Sequence, residues 1–157
     1  MTAPASQTCS LVLTVGNSLM GDDGAGPLLC ERLEAAPVPG WTVIDGGSMP
    51  ENVTYAVKAM KPQRLLIVDV AALGLAPGEM RFVDKDRIRA MGMASTHNMP
   101  LSFIMDELEQ EMEQVVFLGI QPQEVGFCLP VTDAVQQAVD RIHAGLADGL
   151  ADIPWLP

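Results

Sequence analysis

The chain has 157 residues, with 9 Lys+Arg against 20 Asp+Glu for a formal net charge of −11, and only 2 histidines and 3 cysteines. That inventory cannot build a Cys₄ or His₃ zinc site, and Cys9, Cys30 and Cys128 are too scattered for a C-x-x-C pair or a disulfide framework. Any site here leans on carboxylates, and a sequence pI near 4.3 disfavours nucleic acid and anionic membrane surfaces as partners.

The length suits one domain over 1–157, with a core from about 10 to 148 and less ordered termini. The longest nearly apolar stretch, 65–76, is interrupted by Asp69 and falls short of the roughly 20 residues a bilayer needs. No basic segment precedes an apolar run at the N-terminus, so a soluble cytoplasmic protein, self-contained as a monomer, is expected.

In chain order, residues 11–15 (Leu-Val-Leu-Thr-Val) read as a strand buried on both faces, followed by a glycine-rich loop and a helix over 25–35. A second strand is expected over 41–44. Ser48 and Glu51 then have capping-box spacing ahead of a helix carrying Val53, Ala56, Val57 and Met60. Residues 65–68 form a third strand and 80–83, which alternate, a half-exposed edge strand. The segment 84–95, polar and then Met/Gly/Ala-rich, reads as a loop. Leu101, Ile104, Met105, Leu108 and Met112 mark a helix starting near Met99 or Pro100, residues 115–120 another strand, and Val135, Val139, Ile142 and Leu146 a last helix that Thr132 can cap. The ten methionines fall mostly on apolar faces and read as core filler. The alternation predicts an α/β fold: a three-layer α/β/α sandwich around a mostly parallel, about five-stranded twisted sheet with one antiparallel edge strand.

Open parallel sheets bind ligands beyond the carboxyl ends of their strands. The first strand runs into Gly16-Asn17-Ser18-Leu19-Met20-Gly21-Asp22-Asp23-Gly24-Ala25-Gly26, the second ends in Asp45-Gly46-Gly47, and the third ends at Asp69. The loop is neither G-x-G-x-x-G, nor a P-loop, nor a nucleophile elbow, and its two aspartates repel phosphate. A nucleotide-using enzyme is therefore disfavoured, and no organic cofactor is expected. Asp23, Asp69 and His97 together offer two carboxylates and one imidazole, a set able to hold a divalent ion with positions left open. The plainer reading of each is a turn-capping aspartate or a satisfied structural histidine. Cys30 and Cys128 read as buried inert thiols, and His143 is given no role.

The glycine-rich loop, Asp45-Gly46-Gly47-Ser48, Leu65-Leu66-Ile67-Val68-Asp69, Thr96-His97-Asn98-Met99-Pro100-Leu101 and Gly119-Ile120-Gln121-Pro122, in that order, resemble the motifs of the [NiFe]-hydrogenase maturation endopeptidases. The Asp22-Asp23 pair, Ser48-Met49-Pro50-Glu51-Asn52 and the residues around His97 are most similar to the branch that processes the hydrogenase 3 (formate hydrogenlyase) large subunit. The resemblance implies a peptidase, of a family often classed with aspartic proteases, that removes a C-terminal extension from the nickel-loaded precursor of a hydrogenase large subunit. It places the family's metal-contacting positions, where other members have glutamate in the first, on Asp23, Asp69 and His97. The nickel would then be borne by the substrate, although other divalent ions could occupy the site. The resemblance leaves Asp22 as either a loop support or a second carboxylate. The alternative is a non-catalytic, chaperone-like metal-binding module for the same precursor.

Overall fold

The computed structural model describes residues 9–93 and 99–157. Its five strands are β1 (Ser10–Thr14), β2 (Trp41–Asp45), β3 (Arg64–Val70), β4 (Met80–Val83) and β5 (Gln114–Ile120). They form one sheet in the order β2-β1-β3-β5-β4. The first four run parallel, and β4 pairs antiparallel with β5 at the edge, as the alternation of 80–83 predicts. The five α-helices are α1 (Ala25–Ala35), α2 (Thr54–Met60), α3 (Lys85–Met91), α4 (Leu101–Glu109) and α5 (Asp133–Gly145).

Alternate strand residues feed two separate cores, because successive side chains point to opposite faces. Leu11, Leu13, Leu65, Ile67 and Phe117 pack with Val57 of α2, Ile88 of α3 and Ile104 and Leu108 of α4. Val12, Leu66, Val68, Leu118 and Ile120 pack with Leu29 and Leu33 of α1 and Val139 and Ile142 of α5. The sheet is therefore covered on both sides, which is why β1 and the middle of β3 read as unbroken apolar runs. No helix among the described residues is long and apolar enough to cross a membrane.

Local details depart from the sequence pattern. The strand over 41–44 is an edge strand with no buried residue, Trp41 and Val43 packing against one core and Ile44 against the other. Ser48 and Glu51 form no capping box; Pro50–Asn52 makes a 3-10 turn instead, and α2 starts after Val53 with no side-chain cap. Thr132 does occupy the position before α5, but its hydroxyl is drawn to Asp22 rather than to the helix. Met112 is buried beyond the end of α4 rather than on it. Met49, Met60 and Met91 are exposed, while Met80, Met105 and Met112 fill the core.

Two further segments are more ordered than their composition suggests. Residues 85–91 form α3 in what reads as a loop, started by Asp84, whose carboxylate accepts from the N–H groups of Asp86 and Arg87. Beyond residue 148, Leu150 and Ile153 are buried. There Phe82 donates its N–H to the Pro154 carbonyl, Leu156 donates to that of Phe82, and the Phe82 and Trp155 rings lie 5.4 Å apart.

Candidate functional site

In this sheet β2 lies on one side of β1 and β3 on the other, so strand order reverses between β1 and β3. The two backbones stay paired past the end of β1, where Val15 donates to the Val68 carbonyl at 3.0 Å. Open parallel sheets bind ligands at such a reversal, which here receives whatever follows β1 and ends β3. Those residues are the glycine-rich loop and Asp69.

The loop is wound so tightly that side chains would not fit at key points. Gly16 has φ +143°, and a Cβ there would sit 2.0 Å from the Asp23 carbonyl oxygen. At Gly26 a Cβ would fall 2.2 Å from the Val15 carbonyl oxygen, so only glycine lets α1 approach the end of β1. The Asn17 N–H donates to both the Asp23 carbonyl (3.1 Å) and its Oδ2 (2.9 Å), and the Asn17 Oδ1 accepts from Leu19 (2.9 Å). Asp23 is thereby held at the loop's inner turn, partly buried.

Asp69, also partly buried, sits in β3 opposite Gly119 of β5, with its Oδ1 accepting the Val70 N–H at 2.8 Å. Burial pushes its carboxyl well above the usual range, and the charge of Asp23 pushes it further; the Val70 N–H only partly opposes them. Asp23 is raised as well, by burial, with the Asn17 N–H opposing. The structure thus brings two of the three sequence-selected residues into one electrostatic pair. Two half-buried carboxylates that repel are relieved by a shared proton or by a cation between them. His97 lies outside the described residues. Among the described residues no three His, Cys, Asp or Glu side chains gather as a metal site.

Asp22, next to Asp23, points the other way and is fully buried. Its Oδ2 accepts from the N–H groups of Gln123 (2.8 Å) and Glu124 (2.9 Å), and its Oδ1 accepts from that of Thr132 (2.7 Å). The Thr132 hydroxyl lies 2.9 Å from each oxygen. Burial alone would raise this carboxyl, but the N–H groups of Glu124, Thr132 and Gln123 and the Thr132 hydroxyl outweigh it and hold it low. Asp22 therefore supports the loop: it clips residues 123–132 onto the glycine-rich turn. Asp45 also closes a turn, accepting from Gly47 N–H (2.9 Å) and the Thr14 hydroxyl (3.3 Å).

The clipped segment presents Phe127, 73% exposed, and Val125 beside the exposed Leu19. Cys128, expected to be buried between Phe127 and Leu129, is exposed, with φ +61° and its N–H donating to the Leu19 carbonyl. Its apolar neighbours face solvent, so they are no guide to burial there. Cys30 is buried as expected, its thiol pushed up to about 12 by burial, by its hydrogen bond to Glu34 and by nearby acids. His143 donates to the Ala36 carbonyl, a structural role.

Gln121, which the sequence marks only as part of Gly119-Ile120-Gln121-Pro122, belongs to the site's scaffold. Its Oε1 accepts from Leu73 (2.7 Å) and Leu75 (3.4 Å), which fixes the chain leaving Asp69.

Known proteins share this arrangement over most of the chain. The family model described as hydrogenase maturation protease matches residues 27–148. The hydrogenase 3 maturation protease of Escherichia coli strain K12 is 52% identical over 136 residues, which is 87% of each chain. A crystal structure of a hydrogenase 3 maturation protease superposes with a TM-score of 0.91 at 48% identity, covering 98% of this chain and 99% of that one. A [NiFe] hydrogenase maturation protease from Thermococcus kodakarensis gives 0.79 at 26% identity, over 90% and 91%. With a family match across both cores and an identity this high over so much of its length, the chain belongs to the hydrogenase maturation proteases.

Proposed function

We propose that this protein is the endopeptidase that removes a C-terminal extension from the nickel-loaded precursor of a [NiFe]-hydrogenase large subunit, in the cytoplasm and as a monomer. The observation that carries the reading is the placement of Asp23, on the loop after β1, and Asp69, near the end of β3, at the reversal of strand order. A pair that repels itself favours a cation, and a cation delivered by the substrate lets the enzyme distinguish loaded from unloaded precursor. Asp23, Asp69 and His97 engage that nickel in this reading, with no resident cofactor.

The chemistry is hydrolysis of one peptide bond. Water adds to the scissile carbonyl, a carboxylate accepts its proton, and the proton then passes to the departing amine as the C–N bond breaks. Engagement of the substrate's ion drives the proton from Asp69 and leaves that group ready as the base. The enzyme is aspartic in that limited sense, since the chain has no D-[TS]-G repeat.

The test is mass spectrometry of purified precursor, with and without nickel, after incubation with the protein. A C-terminal peptide released only from loaded precursor, and not by Asp23→Asn or His97→Ala, is expected. Intact loaded precursor would leave the protein a binding module, and full processing by both variants would remove the trio.

A further inference from the structure

The segment that Asp22 clips to the glycine-rich turn carries no charge from Val125 to Val131, and neither do Ser18, Leu19 and Met20 across from it. Phe127 stands at the tip of a turn closed by the Leu129 N–H on the Gly126 carbonyl (3.3 Å). The Cys128 N–H donates to the Leu19 carbonyl (2.8 Å), and a Cβ on Gly21 would lie 3.4 Å from that of Leu129. Leu19 (58% exposed), Val125 (51%), Phe127 and Leu129 are thereby gathered on the loop that holds Asp23.

This surface is fixed before anything binds. The donors on Asp22 come from Gln123 and Glu124 at one end of the segment and Thr132 at the other. The side chains between them cannot fold inward without breaking the bonds of a fully buried carboxylate. Apolar groups held in place beforehand cost less ordering entropy when a partner covers them. Val131 packs on the core under α1 and α5, whereas Met93 and Met99 pack on the core under α3 and α4. The segment and the described residues on either side of His97 are thus anchored to opposite faces of the sheet.

Four side chains with these exposures offer on the order of 400 Å² of apolar surface, enough to mark an interaction site but about half the 800 Å² per partner of a stable dimer. The size suits a polypeptide segment that binds and leaves, not a permanent second copy. Leu19 lies two positions after Asn17, whose N–H holds the Asp23 carboxylate at 2.9 Å, so a chain presented to Asp23 passes beside the patch.

We propose that this patch docks apolar side chains of the precursor's C-terminal segment, next to the bond that is cut, with Phe127 as its anchor. That the occupant is the precursor rests on the processing reading above; the surface itself rests on the geometry of the loop.

Two measurements test it. In the first, p-benzoylphenylalanine in place of Phe127 is photolysed with loaded precursor, and the cross-linked peptides are mapped by mass spectrometry. Links into the precursor's C-terminal segment are expected, and none from the same group in place of Met60, which is exposed at the far end of α2. In the second, KM for loaded precursor should rise about tenfold in Phe127→Ser, as loss of one covered aromatic ring implies, and recover in Phe127→Leu. The Tm of Phe127→Ser should stay within about 2 °C of wild type, as for other exposed positions. Links joining two copies of this chain, equal links from both positions, or an unchanged KM in Phe127→Ser would overturn the patch and leave the processing reading standing. Links as expected, with no peptide released by wild type, would remove the processing reading and leave the docking surface.

Discussion

Asp22 and Asp69 are both aspartates at the same edge of the sheet, and the protein treats them in opposite ways. Asp69 has one backbone donor and a like charge nearby, so its folded pKa lies above the unfolded one. It therefore detracts from stability as pH rises from the unfolded value toward the folded one, and the loss persists at neutral pH. Asp69→Asn should accordingly stabilise the protein without metal by about 1 kcal/mol, a few degrees in Tm, at pH 7. That gain should shrink by pH 4. Calorimetry at the two pH values checks both magnitude and sign, and a variant less stable at pH 7 would contradict it. Asp22 reverses the logic. Its folded pKa is depressed, so its contribution is present above the unfolded value and lost as pH falls through the folded one. Asp22→Asn sets an amide against donors and should cost about 3 kcal/mol, roughly 10 °C in Tm, at neutral pH. Denaturant melts at pH 7 and pH 3 should show the penalty shrinking in acid.

Elements were legible where burial wrote a period into the sequence. β1, the middle of β3 and α1 are all packed in the core, and their residues declare it. α3 is the counter-case. It buries one apolar residue, Ile88, and is otherwise tied to α4 through Lys85 with Asp106 and Glu109 and through Arg89 with Asp106. A helix held by one apolar contact and by charges on a neighbour 17 to 24 residues away in sequence carries no stripe to read. The same holds for the site. Asp23 and Asp69 were found because strand ends are predictable. The clip at Asp22 was not, since its donors are backbone N–H groups more than 100 residues on. What α3 does show locally is its cap. Asp84→Ala should destabilise the protein by about 1 kcal/mol, the usual cost of an N-cap. Hydrogen exchange should then quicken at residues 85–91 and stay unchanged in α5. Unaltered exchange in α3 would mean that its charge pairs with α4, and not the cap, hold it in place.

At the scale of the molecule, the sheet joins two cores into one frame, and the reversal between β1 and β3 sets two like charges together in it. A fold already at −11 gains nothing in stability from that placement; a proton on Asp69 relieves the repulsion, and in the proposed function the substrate's cation takes the proton's place. Because Asp69 titrates above the ordinary 3.8, a cation must displace its proton, and engagement weakens as pH falls toward and through that raised value. Single-turnover processing of loaded precursor should therefore show an acid limb whose midpoint lies above the usual aspartate range. The coupling is tested in the protein alone by carbon-13 carboxyl titration of Asp69. In Asp23→Asn one like charge is gone while the burial of Asp69 remains, so its midpoint should move down but stay above 3.8. An unmoved midpoint would mean that burial alone sets the proton on Asp69. The pair would then act as two separate carboxylates, and the case for a shared cation would fall with it.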